Sequence, residues 1–565
     1  MTQEKSTSNR LLKGTLILTA AGMVVKVIGS LNWIILSRVL GGEGIGLYQM
    51  AFPLYLLALS LSTAGIPVAI SILTAEKIAK NDVLGRRQLF RASFCFLTAT
   101  GLILSLAMYW GAAWLIDAGF IRDGRAYYSL LALSPAVFLV TLIAGLRGYL
   151  QGWQYMTPTA VSQIVEQLFR VMAMLFFASL LLPQGLAFAA GGASLGAAAG
   201  AAAGLAVLLY YYARLRRQEK SIGEAATPTA QPTESLGRLF KRLFKLALPV
   251  SLASLMLPVV ANLDLLIVPV RLEAAGYSIT QATELFGYLT GMGVPLVNLA
   301  TMMTAALATS IVPSVSAVAS LGQKHEVQER ITTAMRMTNL VIFPASGALY
   351  VLAVPVATVV YGAPQAGDVI QVLAFGVYLL GVHQVTTGVL QGLGRPTLPV
   401  INMGLAAIVK IVLNYVLTAI PSLGICGAAW ATNADFGVAA LLNYYWISRH
   451  TGFRTDWAEL GKTILATLLM SAAIYEAFVF LLPYNIPIAW LLLPLILLAT
   501  VLYAAILLAC GGLTLADAER VPFLGHRLAS LLLRLGLKNN RDVILNRSRG
   551  SKRRVRQRDT QKQKQ

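Results

Sequence analysis

Charge is what this sequence has least of. Asp, Glu, Lys and Arg together make up 12% of its 565 residues, against ~25% in soluble domains. That excludes a soluble fold with an ordinary charged surface. Cysteine is scarce too. Cys95, Cys426 and Cys510 each lie in an apolar run, the number is odd and no CxxC occurs, so neither a disulfide framework nor a metal centre is expected. The four histidines, His325, His383, His450 and His526, are scattered along the chain. The loops on the sparsely charged side are short, which leaves no room for an external catalytic domain. Gly461-Lys462-Thr463 has the form of the end of a phosphate-binding loop, but Asp456 stands where the first glycine is required. No catalytic residue, cofactor or ATP site is therefore expected, and the chain reads as a non-enzyme driven by a gradient or a membrane potential.

What is present in excess is apolar length. Hydrophobic residues make up 57% of the chain, arranged in runs that match the ~20 residues needed to cross a bilayer. Spans are expected near 12–38, 46–75, 88–111, 126–150, 158–181, 186–212, 243–270, 285–318, 333–360, 368–391, 397–419, 424–448, 462–482 and 486–511. The start, Met1 to Asn9, is polar and is not followed by a small-residue cleavage site, so the first span is expected to act as its own insertion signal.

The formal net charge of +21 does not point to nucleic acid, because of where the charge sits. From Gly512 onward there are 14 Lys+Arg and 4 Asp+Glu. Alternate loops collect most of the rest: Lys77 to Arg91, Arg214 to Lys245, Lys324 to Arg336 and Arg449 to Lys462. The opposite loops hold only Arg38, Arg122, Arg125 and Arg271. This is the positive-inside pattern. It predicts a multi-pass protein of the cytoplasmic membrane with both termini cytoplasmic. Leu236 to Lys245 is basic and amphipathic and is expected to lie on an anionic membrane face; Phe523 to Lys538 reads the same way.

Two halves echo each other at an offset near 240 residues. Tyr149-Leu-Gln-Gly152 matches Val389-Leu-Gln-Gly392, Pro158 matches Pro396, Pro53 matches Pro295, and Leu12-Lys13 matches Phe244-Lys245. The expected fold is an all-α membrane protein of about 14 transmembrane helices, in two parallel six-helix lobes with a site between them, plus a C-terminal helix pair. The expected boundaries are an N-terminal lobe at 1–217, a cytoplasmic linker at 218–240, a C-terminal lobe at 241–450, the added pair at 451–515 and a cytoplasmic amphipathic and basic tail at 516–565.

Ionisable groups inside spans are costly, about 2.5–3.5 kcal/mol each on insertion scales, so the few that occur are the candidate site. Glu166 and Arg170, four apart, are read as a structural pair. Lys26, Asn32, Arg170, Asp264 and Lys410 are read as substrate-binding. Asp264 is open to two roles, a cavity residue or a partner for Lys26. Asp435 and Glu476 are candidates for ion coupling. Three intramembrane cations suit an anionic, phosphate-bearing substrate.

Several segments carry a family resemblance. They are Leu12-Lys-Gly-Thr-Leu-Ile-Leu-Thr-Ala-Ala-Gly-Met23, Ser37-Arg-Val-Leu-Gly41, Glu43-Gly-Ile-Gly-Leu-Tyr48, Gly65-Ile-Pro-Val-Ala-Ile-Ser71, Leu146-Arg-Gly-Tyr-Leu-Gln-Gly152, Pro158 to Arg170 and Pro421 to Ala429. Together they resemble the stage V sporulation protein B family, within the multidrug/oligosaccharidyl-lipid/polysaccharide exporter superfamily and similar to MurJ-type lipid II flippases. The resemblance implies fourteen helices in two lobes. It also implies movement of a lipid-linked peptidoglycan or polysaccharide precursor in cell-wall or spore-cortex synthesis, with membrane lipids and wall-synthesis enzymes as partners. Lys26 falls where relatives often carry Arg. No arginine occurs around Ala58 to Ser62, so the cation set differs here from the Gram-negative pattern. An ion-coupled multidrug antiporter of the same superfamily is the alternative.

Overall fold

The computed structural model describes residues 2–63, 65–223, 234–484 and 486–513. Among them there is no strand, and seventeen α-helices follow one another. They are α1 (Thr2–Thr63), α2 (Ile66–Ala79), α3 (Val83–Asp117), α4 (Tyr127–Gly152), α5 (Thr157–Leu181), α6 (Leu186–Gly223), α7 (Leu236–Ala274), α8 (Ile279–Gly287), α9 (Val294–Ala300), α10 (Met302–Ser320), α11 (Lys324–Val351), α12 (Ala353–Val356), α13 (Ala366–Gly392), α14 (Thr397–Leu417), α15 (Ile425–Thr451), α16 (Trp457–Leu481) and α17 (Ile488–Ala509). The expected tail helix at Phe523 to Lys538 lies outside the described residues.

Among the described residues, twelve stretches are long and apolar enough to cross a membrane. The first, Ala20–Ala79, is 60 residues long, about three times what a bilayer needs. It is broken at Gly41, whose φ of 65° no helix interior adopts, so it holds two spans. The broken pair Lys324–Val351 and Ala353–Tyr361 supplies a further one. About fourteen spans result, as the apolar runs predict.

The chain packs as two units. One holds the chain up to Met302 together with Ala353–His383 and Arg395–Tyr444; the other holds Met303–Leu352, Gln384–Gly394 and the chain from Tyr445 onward. In the first unit a core forms from α2, α3, α4, α6 and the start of α7, with Ile70, Leu89, Leu97, Ile143, Leu146 and Leu208 buried in it. α7 departs from expectation. Its basic start is not a separate surface helix but the first turns of a continuous 39-residue helix. Leu239, Leu243 and Ala247, spaced four apart, are buried in this core. That part of the apolar surface that reads as membrane-facing is met by protein, while Leu236 and Phe244 beside it stay exposed. In the second unit α16 and α17 dock on α11. Arg336 pairs with Glu459 and donates to the Gly512 carbonyl at 3.0 Å. Lys462 Nζ donates to the Gly511 carbonyl at 3.2 Å, so the Gly-Lys-Thr segment holds a helix end.

The repeat is visible in packing. A Cβ at Gly148 of α4 would lie 2.4 Å from the Pro67 carbonyl oxygen, and one at Gly388 of α13 would lie 2.4 Å from that of Ala308. A turn later, Gly152 and Gly392 stand in the same relation to the carbonyls of Ser71 and Val312, each at 2.8 Å. Each half thus closes one helix onto another at a two-glycine contact.

Candidate functional site

Small residues bring the buried charges of the first half together. α6 carries Gly192, Gly196, Gly200 and Gly204, and a Cβ at any of them would crowd α5 at Phe177, Met174, Arg170 or Glu166. Such spacing lets two helices approach closely in a membrane. α5 is therefore pressed against α6, and its polar side chains turn toward α4 and α1. Glu166 Oε1 accepts from Arg170 Nη2 at 2.7 Å, and Oε2 accepts from Arg147 Nη2 at 2.8 Å. Arg147 Nε also donates to Ser162 Oγ at 3.1 Å. One carboxylate thus serves two guanidiniums. All three side chains are at most 24% exposed. Arg170 Nε is buried without a hydrogen-bond partner among the described residues.

Sequence reading finds the Glu166–Arg170 pair but not Arg147, which lies 19 residues from Glu166 on a different helix. The signal was present, since Arg147 falls inside an apolar run between Leu146 and Gly148. Around the triad, Tyr48 and Tyr55 lie within electrostatic reach of Arg170. They belong to an aromatic series along α1, in which Trp33, Tyr48, Phe52 and Tyr55 follow at ring separations of 5.5, 5.5 and 5.7 Å.

Asn32 is buried, with Nδ2 donating to Met174 Sδ at 3.4 Å. Gly29 faces Gln167 of α5. Lys26 is one turn earlier on α1, toward the level of Glu166, since three residues rise about 4.5 Å. Its side chain is exposed, with no ion pair to a described residue.

The second half holds its own cluster. Lys410 of α14 is buried and its Nζ lies 2.6 Å from Asp264 Oδ2 of α7. Asn414 Nδ2 donates to Asp264 Oδ1 at 2.7 Å. Asp435 of α15 lies within electrostatic reach of Lys410, and its Oδ1 is buried without a hydrogen bond among the described residues. The partner of Asp264 is therefore Lys410, not Lys26. Arg170 and Lys410, about 240 residues apart, occupy matching helices of the repeat. Their surroundings differ in sign: two cations share one anion in the first half, and two anions face one cation in the second. Glu476 is exposed on α16.

At the end of the molecule where loops are poor in Lys and Arg, the two halves are latched. Arg122 donates to both oxygens of Glu273, from Nε at 2.8 Å and from Nη2 at 2.7 Å. Thr283 Oγ1 donates to Asp123 Oδ2 at 2.9 Å, while Arg125 pairs with Asp123 at 2.7 Å and with Glu43. Backbone meets backbone here: a Cβ on Gly46 would lie 2.0 Å from the Thr283 carbonyl oxygen and one on Gly287 2.2 Å from that of Gly42. Asp123 is buried, which opposes its ionisation. The Arg125 side chain and N–H and the Thr283 hydroxyl outweigh that and hold its carboxyl below the usual carboxylate range.

Comparison with known proteins places this geometry in context. Residues 11–319 match the family described as Polysaccharide biosynthesis protein, and 289–416 match the one described as MatE. The Stage V sporulation protein B of Bacillus subtilis (strain 168) is 32% identical over 438 residues, 78% of this chain and 83% of that protein. The Lipid II flippase MurJ of the same organism is 28% identical over 82% of this chain and 87% of that protein. Among solved structures, "Lipid II flippase MurJ, inward closed conformation" superposes with a TM-score of 0.65 at 15% identity, over 87% of this chain and 98% of that one. An inward-facing multidrug resistance MATE family transporter superposes with a TM-score of 0.62 at 15% identity, over 78% of this chain and 98% of that one. At these identities the structural matches speak for the fold alone.

Proposed function

Since the chain belongs to the polysaccharide biosynthesis protein family, we propose that it carries a glycan linked to undecaprenyl pyrophosphate across the cytoplasmic membrane by alternating access. The observation that carries this reading is the positive surplus buried in the first half, where Arg147 and Arg170 share the single carboxylate of Glu166. A guanidinium with spare donors in an apolar setting binds phosphate oxygens by charge-assisted hydrogen bonds. In this reading Arg147, Arg170 and Lys26 receive the pyrophosphate, and Asn32 lines the same wall. The relatives named as a lipid II flippase and a sporulation protein support a peptidoglycan precursor as cargo, in vegetative or spore wall synthesis.

The second-half cluster takes the coupling role. Lys410 is already matched by Asp264, so Asp435 is the carboxylate left to bind and release a proton or small cation, with Glu476 as the second choice. The basic loops lie in the cytoplasm, which puts both termini there, and the latched end faces outward. Wall-synthesis enzymes that make and consume the precursor are its expected neighbours.

An ion-coupled multidrug antiporter is the second reading, favoured by the extra carboxylate in the second half. Proteoliposomes separate the two. Under the first reading, reconstituted protein makes lipid II or another undecaprenyl-linked sugar in the inner leaflet accessible to an external probe, and Arg170→Ala abolishes this. Proton-driven efflux of a cationic dye with no lipid movement overturns the first reading in favour of the second.

A further inference from the structure

A third group of cations lies outside both buried clusters, at the basic end of the first half. Arg87 and Arg91 stand one turn apart on α3. They line a groove of about 720 Å³ between α3 and the start of α7. On their other side they line a small pocket with Arg216 of α6. Neighbouring charges at this end are matched. Lys77 pairs with Asp82 at 3.1 Å, Arg242 pairs with Glu76 at 2.6 Å, and Arg86 lies over the Trp153 ring at 4.3 Å. Arg87, Arg91 and Arg216 have no carboxylate at ion-pair distance among the described residues, and Arg87 Nε is buried without a hydrogen bond.

Beyond the arginines the α3 side of the groove is lined by Ala92, Cys95, Phe96 and Ala99. At the arginine end Leu84 and Leu236 are 47% and 53% exposed. Phe96 and Phe240 meet at its floor, 6.0 Å apart between ring centroids. The lining runs from Leu84 to Ala99 along α3, which at 1.5 Å per residue is about 22 Å. Positive charge at one end and an apolar channel along the helix axis form the shape of a lipid, headgroup first.

We infer that this groove holds one anionic phospholipid of the cytoplasmic leaflet. Its phosphate lies against Arg87 and Arg91, and an acyl chain lies along the apolar lining that α3 and α7 present. The inference is independent of the cargo, because these residues belong to neither buried cluster. Bound there, the lipid adds to the hydrogen bond by which Gln88 Nε2 holds the Glu234 carbonyl at 2.9 Å, tying the start of α7 to α3.

Cys95, exposed on the groove wall, is a built-in reporter. In a background with Cys426→Ser and Cys510→Ser, the rate of Cys95 labelling by a lipophilic maleimide is followed in phosphatidylcholine nanodiscs with increasing phosphatidylglycerol. Phosphatidylglycerol should slow labelling. The fraction needed for half-protection should rise about fivefold for each of Arg87→Gln and Arg91→Gln, the factor implied by ~1 kcal/mol per arginine. The Arg87→Lys/Arg91→Lys variant should stay protected, which separates lost charge from misfolding. Equal labelling with and without phosphatidylglycerol overturns the inference. So does protection that survives both Gln changes, or protection by undecaprenyl phosphate where phosphatidylglycerol gives none.

Discussion

A carboxylate between two guanidiniums in a membrane is a point of high stakes, because each partner is stranded if the other goes. Glu166→Ala leaves Arg147 and Arg170 facing each other with no anion. Breaking a buried pair in this way costs about 3 kcal/mol or more, so the variant should show a markedly lower melting temperature in detergent. Arg170→Lys keeps the charge but loses the fork that reaches Glu166. It should melt close to wild type while losing most of its transport, whereas an equal loss of both would mean the residue only braces the fold. Lys26 makes the complementary case: exposed and not paired with a described residue, it has little stability to lose. Lys26→Ala should abolish transport at unchanged melting temperature, and Lys26→Arg should restore it. Full complementation of a flippase-depleted strain by well-expressed Lys26→Ala protein would remove Lys26 from the site. At this scale the sequence is readable only within one helix. Glu166 and Arg170 are four apart, so their pairing follows from helix geometry. Arg147 with Glu166, and Asp264 with Lys410, meet across helices, and no spacing rule says which of several buried charges will face which.

Elements were more legible than their contacts. Each span is announced by the ~20-residue length a bilayer demands, so the number of spans follows from apolar runs alone. α7 shows what such runs leave open: its apolar stripe at Leu239, Leu243 and Ala247 suits a lipid surface as well as the α2–α4 core that takes it. The two-glycine contacts test the repeat directly. Gly148→Ala and Gly388→Ala each place a Cβ 2.4 Å from a backbone carbonyl, which only a helix shift relieves. Overpacking of that kind costs about 1–3 kcal/mol, so both variants should lower the melting temperature by similar amounts. Gly237→Ala is the control: nothing lies within 4 Å of its Cβ, and alanine favours the helix, so its stability should hold or rise. A large effect at one repeat glycine and none at the other would break the equivalence of the halves.

For the molecule as a whole, the question is whether the latched end opens. Asp123 gives a first test through pH. Its carboxyl is held below the usual value of 3.8, so the folded state binds its proton less readily than the unfolded chain does. The stability it contributes is present above the unfolded pKa and is lost as pH falls through the depressed folded value. The melting-temperature gap between wild type and Asp123→Asn should therefore stay constant from neutral to mildly acid pH and close only in strong acid. A gap that closes near neutrality would mean another group sets it. The second test asks about turnover. Arg122 and Glu273 join the halves at the end poor in Lys and Arg, and the proposed alternating access requires that junction to part in each cycle. In a background with Cys95→Ser, Cys426→Ser and Cys510→Ser, Arg122→Cys with Glu273→Cys allows a short, cleavable bis-thiol reagent to bridge them. Bridging should stop movement of the lipid-linked sugar, and cleaving the bridge should restore it, with each single cysteine variant unaffected by the reagent. Transport at full rate with the bridge in place would mean the substrate passes without separating the halves. The buried arginines would then serve a groove open along its side, not a cavity that faces first one leaflet and then the other.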